Sequence, residues 1–428
     1  MTSSPATSDP ARTTWPSLAE PPSGPRTRVG AKVARAVFLR AMARLPVTIR
    51  LHEPDGVRVV GRGGPEMTIH RPEEFFARLG RRDLIGFGEA YLTGAWDAPD
   101  LAAFLEVPAA RLSQLVPPAL LRARGLVAPR IARRQRGGQA DTQANIAHHY
   151  DLSNDLFAQF LDPTMTYSSA WFRTDAQGVP LVGDDLESAQ HRKIEALLDL
   201  AAVGPGTRVL EIGSGWGALA IAAAGRGATV RTLTLSVEQQ ELARKRIAEA
   251  GLEDRISVDL LDYRLVDVAE NGRYDAVVSV EMIEAVGWRH WTTYFATIER
   301  VLAPGGRVAI QAITMPHERM LASRDVATWI TEYIFPGGFL PSVRALRKAA
   351  GRAGLETTQS ARLGLHYAET LRQWDERFAA RAAELDALGF DAMFRRVWHF
   401  YLAYCQAGFA AGYIDDHQLL FTRQEIRS

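Results

Sequence analysis

From Thr207 onward, short apolar runs alternate with Gly-rich turns and with stretches of helical period. TRVLEIGSG, ATVRTLTLS, RISVDLLD, YDAVVSV and GRVAIQAIT read as strands, with helices over ALAIAAAGRG and over 237–250 between them. Strands that alternate with helices of this length bury a parallel sheet on both faces, so the fold class is α/β and doubly wound. Upstream the pattern changes. Residues 47–70 form three short alternating runs split by Pro-Asp-Gly and Gly-Gly, a small antiparallel meander, with helical segments over 72–78 and 100–106. Before them Val29, Val33, Val37 and Ala41 recur at helical spacing beside Arg28, Lys32 and Arg35, the layout of a basic amphipathic helix. The expected division is a disordered Ser/Thr/Pro-rich arm over 1–27, a small α+β domain over 28–115, a Pro- and Arg-rich basic linker over 116–140, and the α/β domain over 141–428.

Length and composition sharpen this only in places. A chain of 428 residues has room for two or three domains. No apolar run approaches a membrane span, and the N-terminus lacks the apolar core of a signal peptide. The single cysteine, Cys405, forms no internal disulfide, which fits a reducing cytosol, and it reads as a buried small apolar residue. Charge is uneven: residues 1–140 carry 21 Lys+Arg against 12 Asp+Glu, and the remainder 29 against 37. The basic excess, which includes Arg122, Arg124, Arg130, Arg133, Arg134 and Arg136, matches anionic lipid headgroups. No nucleic-acid-binding module accompanies it, so nucleic acid is not the expected partner. A solvated helix packing its apolar edge on the domain is the plainer alternative.

Glu211-Ile-Gly-Ser-Gly-Trp-Gly217 follows a strand and opens a helix. Glycines there let a ligand approach the backbone at the carboxyl edge of the sheet. The spacing is G-x-G-x-G, and an acid just before the first glycine is typical of S-adenosylmethionine sites rather than dinucleotide sites.

Six further runs carry a resemblance: His149-Tyr-Asp-Leu-Ser-Asn-Asp-Leu-Phe157, Met165-Thr-Tyr-Ser-Ser-Ala-Trp171, Thr234-Leu-Ser-Val-Glu-Gln239, Glu281-Met-Ile-Glu-Ala-Val-Gly287, Tyr333-Ile-Phe-Pro-Gly-Gly338 and Tyr367-Ala-Glu-Thr-Leu371. Together with the glycine loop they resemble the cyclopropane-fatty-acid synthase family, S-adenosylmethionine-dependent methyltransferases that act on cis double bonds of lipid acyl chains. Gly86-Phe-Gly-Glu-Ala-Tyr-Leu-Thr-Gly-Ala-Trp-Asp97 also looks like the extra domain of the phospholipid-acting members. The resemblance is strongest to the actinobacterial branch that forms 10-methylene stearoyl chains in the tuberculostearic acid pathway, where a separate flavin-dependent reductase saturates the methylene. It implies an unsaturated, oleoyl-type phospholipid substrate, a Rossmann-like fold, and a cytoplasmic protein held peripherally on the inner face of the membrane. Cyclopropane formation on the same substrate is the alternative, and a homodimer is compatible with either.

For the cofactor, the resemblance implies Tyr167 and Ser168 over the methionine carboxylate, Glu211 near its charged end, and Gly213, Gly215 and Gly217 along the backbone cradle. Thr234 and Gln239 follow the second strand, and Asp262 and Tyr263 flank the adenine. Where many methyltransferases hold the ribose with an acid at the end of that strand, this chain has none; Gln239 is the expected substitute, with Glu238 the nearest acid.

An isolated alkene is a weak nucleophile, so its π-bond must be aligned with the sulfonium methyl in a dry site. The resulting cation needs aromatic faces and nearby negative charge. Tyr333, Tyr367 and Tyr401 are the aromatic candidates. A base then takes one proton. In cyclopropane-forming relatives that base is a bicarbonate held by Cys, Glu, His, a backbone position and Tyr. Here Glu284, Ile313 and Tyr367 match, but Ser169 stands for the Cys and Gln311 for the His, which puts bicarbonate capture in doubt and leaves Glu284 as a direct base or an orienting group. Read without the resemblance, Glu284 is an ion-paired acid at a helix start, Ser169 a cap, Gln311 a partner to a neighbour and Tyr367 a packing residue. His148 and His149 lack a third ligand at metal spacing, so no metal is expected.

Overall fold

The computed structural model describes Leu18 and residues 20–115, 152–324 and 326–424. Most of the arm (1–17 and residue 19), the basic linker, and His148, His149 and Tyr150 lie outside them; the last three residues of the expected disordered arm, Pro25–Thr27, are instead the first turn of a helix. By its contacts the chain forms two compact units, one running to Pro129 and returning for Leu385–Ala407, the other Arg130–Glu384 with Gly408–Ser428.

The first unit contains α1 (Pro25–Met42), β1 (Thr48–Glu53), β2 (Gly56–Gly61), β3 (Glu66–Ile69), α2 (Pro72–Leu92), β4 (Trp96–Asp97) and α3 (Leu101–Leu115). Its sheet has the order β2-β1-β3-β4. The expected antiparallel meander is corrected here, because β1 pairs with β3 in parallel, Ile49 opposite Met67 and Leu51 opposite Ile69. Those four side chains are fully buried, whereas Val57 and Val59 of β2 are exposed, so β2 is left at the edge. The helix expected over 72–78 runs to Leu92, with a break at Arg82 and Asp83. On α1, Val29, Val33 and Val37 are 65, 59 and 61% exposed, so this apolar stripe faces out beside Arg28 and Lys32 rather than packing inward. Leu385–Ala407, expected with the α/β domain, belongs to this unit. Arg396 donates to the Tyr91 carbonyl at 2.7 Å and lies 3.9 Å over the Tyr91 ring, and Phe400 packs 5.1 Å from that ring.

The second unit is built on β5 (Arg208–Ile212), β6 (Thr229–Thr234), β7 (Ile256–Leu260), β8 (Tyr274–Val280), β9 (Leu302–Thr314), β10 (Leu355–Arg362) and β11 (Asp415–Arg423). Their order is β10-β11-β9-β8-β5-β6-β7. The five strands from β9 to β7 are parallel, while β11 runs against both β9 and β10. The expected doubly wound α/β fold is therefore present, with one reversed strand, β11, that the pattern of apolar positions does not announce. Both faces are covered, which explains the near-continuous apolar strands. Val209, Val230, Val258 and Val278 pack under α4 (Leu186–Leu200), α5 (Ala218–Gly225) and α6 (Val237–Glu249). Leu210, Leu233, Val277 and Ile310 pack under α7 (Trp291–Val301) and α8 (Val343–Arg352), and α9 (Gly364–Ala380) follows β10. The chain leaves β5 in one direction and later returns to β8 on its other side. The carboxyl ends of β5 and β8 thus mark the switch point where such sheets bind ligands. Among the described residues no helix is long and apolar enough to cross a membrane.

Candidate active site

The turn after β5 opens a cavity of about 1140 Å³, counting the part open to solvent. Tyr167, Ser168, Glu211, Gly213, Gly215, Thr234, Gln239, Asp262 and Tyr263 all line it. The loop is held by the amides of Gly213 and Ser214, both donating to the Leu233 carbonyl at 2.9 Å. Gly213 has φ +98°, and a Cβ there would lie 2.4 Å from Cγ of Met282, so loop and Met282 share one space. Gly217 does not line the cavity; at φ +89° it starts α5, packed on Ala243.

The polar groups around the cavity are graded. Gln239 accepts from the Thr234 hydroxyl at 2.9 Å and is buried, while Glu238 is exposed and bonded to Ser236, which favours Gln239 as the ligand-facing group. Asp262 is bound by Arg264 at 2.5 Å, and Tyr263 packs edge-on to Tyr294. Tyr167 stacks on Trp374 of α9 at 5.1 Å. The Ser168 hydroxyl accepts from Lys193 of α4 at 2.7 Å. Burial pushes Lys193 down to about 8, against the pull of Glu281, Asp416, Asp162 and Glu211. Burial pushes Glu211 up to about 8, opposed by Thr232 and Lys193, and its Oε2 is buried with no hydrogen-bond partner. A buried acid with an unused acceptor beside a glycine cradle suits an α-amino group, so these residues fit the methionine end of S-adenosylmethionine.

Behind this cavity lies a second constellation. Glu281, the residue after β8, has φ +50°. Its Oε1 accepts from the Ser169 amide and from the Gln311 side-chain amide, both at 2.9 Å, and its Oε2 from the Tyr367 hydroxyl at 2.6 Å. Gln311 on β9 also donates to Asp416 of β11 at 2.9 Å and accepts from Gln418 at 3.2 Å. Glu284 accepts from the Ile313 amide at 2.6 Å, and its Oε2 is buried and unpartnered. Burial, then the neighbouring Glu281, raises Glu284 to about 8. Burial also lifts Glu281 and Asp416, with the three donors and Lys193 drawing Glu281 back. Tyr367 stacks on Phe409 at 4.4 Å.

All five expected catalytic positions therefore meet here, with one correction. The Ser169 hydroxyl donates to the Ala170 carbonyl at 3.0 Å; it is the backbone amide that faces the carboxylate. Tyr333 stacks on Trp329, and Tyr401 lies in the first unit against Trp398. Glu281, Lys193 and Asp416 were not anticipated. The signals for them were a second acid three residues before Glu284, a lysine on the apolar side of an amphipathic helix, and an Asp pair opening the last strand. Cys405 is partly buried, and burial raises its thiol to about 12.

A family model described as mycolic acid cyclopropane synthetase matches residues 138–419. Tuberculostearic acid methyltransferase UfaA1 of Mycobacterium tuberculosis is 49% identical over 412 residues, 96% of this chain and 95% of that protein. Cyclopropane-fatty-acyl-phospholipid synthase of Escherichia coli K12 is 34% identical over 86% of this chain and 90% of that protein. The crystal structure of the mycolic acid cyclopropane synthase CmaA1 with SAH and CTAB superposes with a TM-score of 0.58 at 31% identity, covering 65% of this chain and 97% of its own.

Proposed function

The chain belongs to the mycolic acid cyclopropane synthetase family, S-adenosylmethionine-dependent methyltransferases of Rossmann-like fold that modify lipid acyl chains, and from that premise we propose that it converts oleoyl-type chains of phospholipids into 10-methylene stearoyl chains. The observation that carries the reading is the agreement with the tuberculostearic acid methyltransferase over nearly the whole of both chains. The match to a phospholipid-acting synthase over 86% of this chain supports an acyl chain still esterified in phospholipid, since the mycolic acid enzyme covers only 65%.

S-adenosylmethionine supplies the transferred methyl group. The chain's residues do the rest: Glu211, Gly213 and Gly215 hold the methionine end, Gln239 and Asp262 the ribose and adenine side, and Tyr367 and Phe409 offer aromatic faces to a developing cation. The Glu281 carboxylate at the end of β8 adds negative charge where that cation forms. A methylene product keeps a double bond, so its saturation needs a hydride donor, and a separate flavin-dependent reductase is the partner we assign. The exposed valine stripe of α1, with Arg28 and Lys32, supports docking on an anionic membrane from the cytoplasmic side.

Incubation with S-adenosylmethionine and oleoyl phospholipid vesicles tests this. The expected fatty acid is one CH2 heavier and still reacts in alkene-specific derivatisation. A product of that mass that is inert to derivatisation means ring closure and refutes the methylene assignment.

A further inference from the structure

The donors at the five positions expected to hold a soluble anion are already committed inside the protein, three of them to the Glu281 carboxylate. The two hydrogens of the Gln311 amide go to Glu281 and Asp416, the single Tyr367 hydroxyl hydrogen goes to Glu281, and the Ser169 amide is spent on Glu281. The Ile313 amide is spent on Glu284, and the Ser169 hydroxyl points to the Ala170 carbonyl. The residues present therefore do not fit bicarbonate, because the chain has placed its own carboxylate there.

We infer that Glu281 is a built-in proton acceptor, serving the methyl transfer in place of a soluble base; this rests on the reading of the chain as an acyl-chain methyltransferase. Three donors from three separate segments fix the carboxylate, an arrangement that favours its charged form. Its backbone sits in the left-handed region, which side-chain-bearing residues rarely adopt and which recurs at functional sites. The next residue, Met282, packs on Gly213 of the cofactor loop and lines the cavity, so Glu281 stands directly behind the cofactor at the switch point. Glu281 and Glu284 keep accessible surface, while Ser169, Gln311 and Asp416 have almost none. Glu284 has a single donor and an unpartnered oxygen, so of the two acids it has fewer groups to hold a charge.

The step balances within the site. The alkene π pair forms the new C–C bond as the C–S bond breaks with its pair left on sulfur. A hydrogen with its pair then moves from the methylated carbon to the cationic one. One C–H bond of the new methyl breaks, its pair becomes the exocyclic double bond, and the proton goes to Glu281. Sulfonium and carboxylate end as neutral thioether and neutral acid, nothing else is oxidised or reduced, and Glu281 returns its proton to water before the next turnover.

The test compares wild type, E281Q and E281G on oleoyl phospholipid vesicles in buffer stripped of CO2, with and without added bicarbonate, alongside S-adenosylmethionine affinity. Wild type should change by less than about 2-fold on stripping, and E281Q should lose about 100-fold or more in kcat while binding the cofactor normally. E281G should also bind cofactor, because glycine accepts φ +50° without strain, and should regain turnover as bicarbonate fills the vacated donors. A wild type that stops on stripping and recovers with bicarbonate overturns the proposal, as does an E281Q enzyme of near-normal rate. An E281G protein that binds cofactor yet stays inert at every bicarbonate concentration gives Glu281 a structural role and also overturns it. A wild type that methylates no oleoyl chain in any buffer refutes the functional reading itself, and is recognised before any variant is compared.

Discussion

Glu281 and Glu284 are three residues apart and meet different surroundings: burial raises both, but three donors hold Glu281 where one holds Glu284. Glu284, with an ordinary value of 4.5 and about 8 in the fold, is held toward its neutral form because burial and the adjacent Glu281 penalise its charge. Below about 4.5 it is protonated in both folded and unfolded chains. Between there and about 8 only the unfolded chain ionises, so the stability from the neutral folded acid is lost as pH rises through that window. Glu284→Gln imitates the neutral acid. Its melting temperature should fall less steeply than that of wild type between about pH 5 and 8, and its neutral-pH kcat should stay within about 10-fold. Parallel melting curves across that range would show that Glu284 is ionised in the fold. Both acids stood in plain view in the Glu-Met-Ile-Glu run, and motif comparison picked out Glu284. What no spacing announces is that Glu281 turns into the left-handed region and swings its carboxylate onto Ser169, Gln311 and Tyr367, since those partners lie 112, 30 and 86 residues away.

Among the elements, those with local signals were legible. The five parallel strands and the Gly-rich turn after β5 came from apolar runs bounded by glycines, and the structure has them. The reversed strand β11 has no clear strand signal because DDHQLLFTR carries four polar or acidic positions before its apolar run, and its place is set by pairing with β9, a contact remote in sequence. Helix α2 outruns the 72–78 that the sequence predicts because Gly80, Gly86 and Gly88 mimic a stop. In the fold Gly86 is where the helix doubles past its own earlier turn, a Cβ there lying 1.9 Å from the Arg78 carbonyl oxygen. Helix α1 raises a question of surface rather than of fold. Its exposed valines make no core contribution, so V33D with K32E should leave thermal stability nearly unchanged and reduce co-flotation with anionic phospholipid vesicles by about 10-fold or more, the loss shrinking in high salt. Flotation equal to wild type would remove α1 from the membrane surface.

Taken as a whole molecule, a sheet buried on both faces fixes the ends of β5 and β8 side by side, and everything chemical follows from that adjacency. One strand end cradles the methyl donor; the other presents a carboxylate fixed by the chain itself. The family was legible from its motifs, and so was the cofactor, because backbone cradles need glycines at set positions. The identity of the proton acceptor was not, being a property of tertiary contacts among β8, β9, β11 and α9. The route taken by the cation is tested most directly with phospholipid whose oleoyl chain carries deuterium on the carbon that becomes methylated. After turnover with unlabelled S-adenosylmethionine, the fatty acid is analysed for the position of the label. The account predicts deuterium on the adjacent carbon, C9, of a 10-methylene chain, the mark of a hydride shift before Glu281 takes the methyl proton. Deuterium retained on C10 within a cyclopropane ring would contradict it.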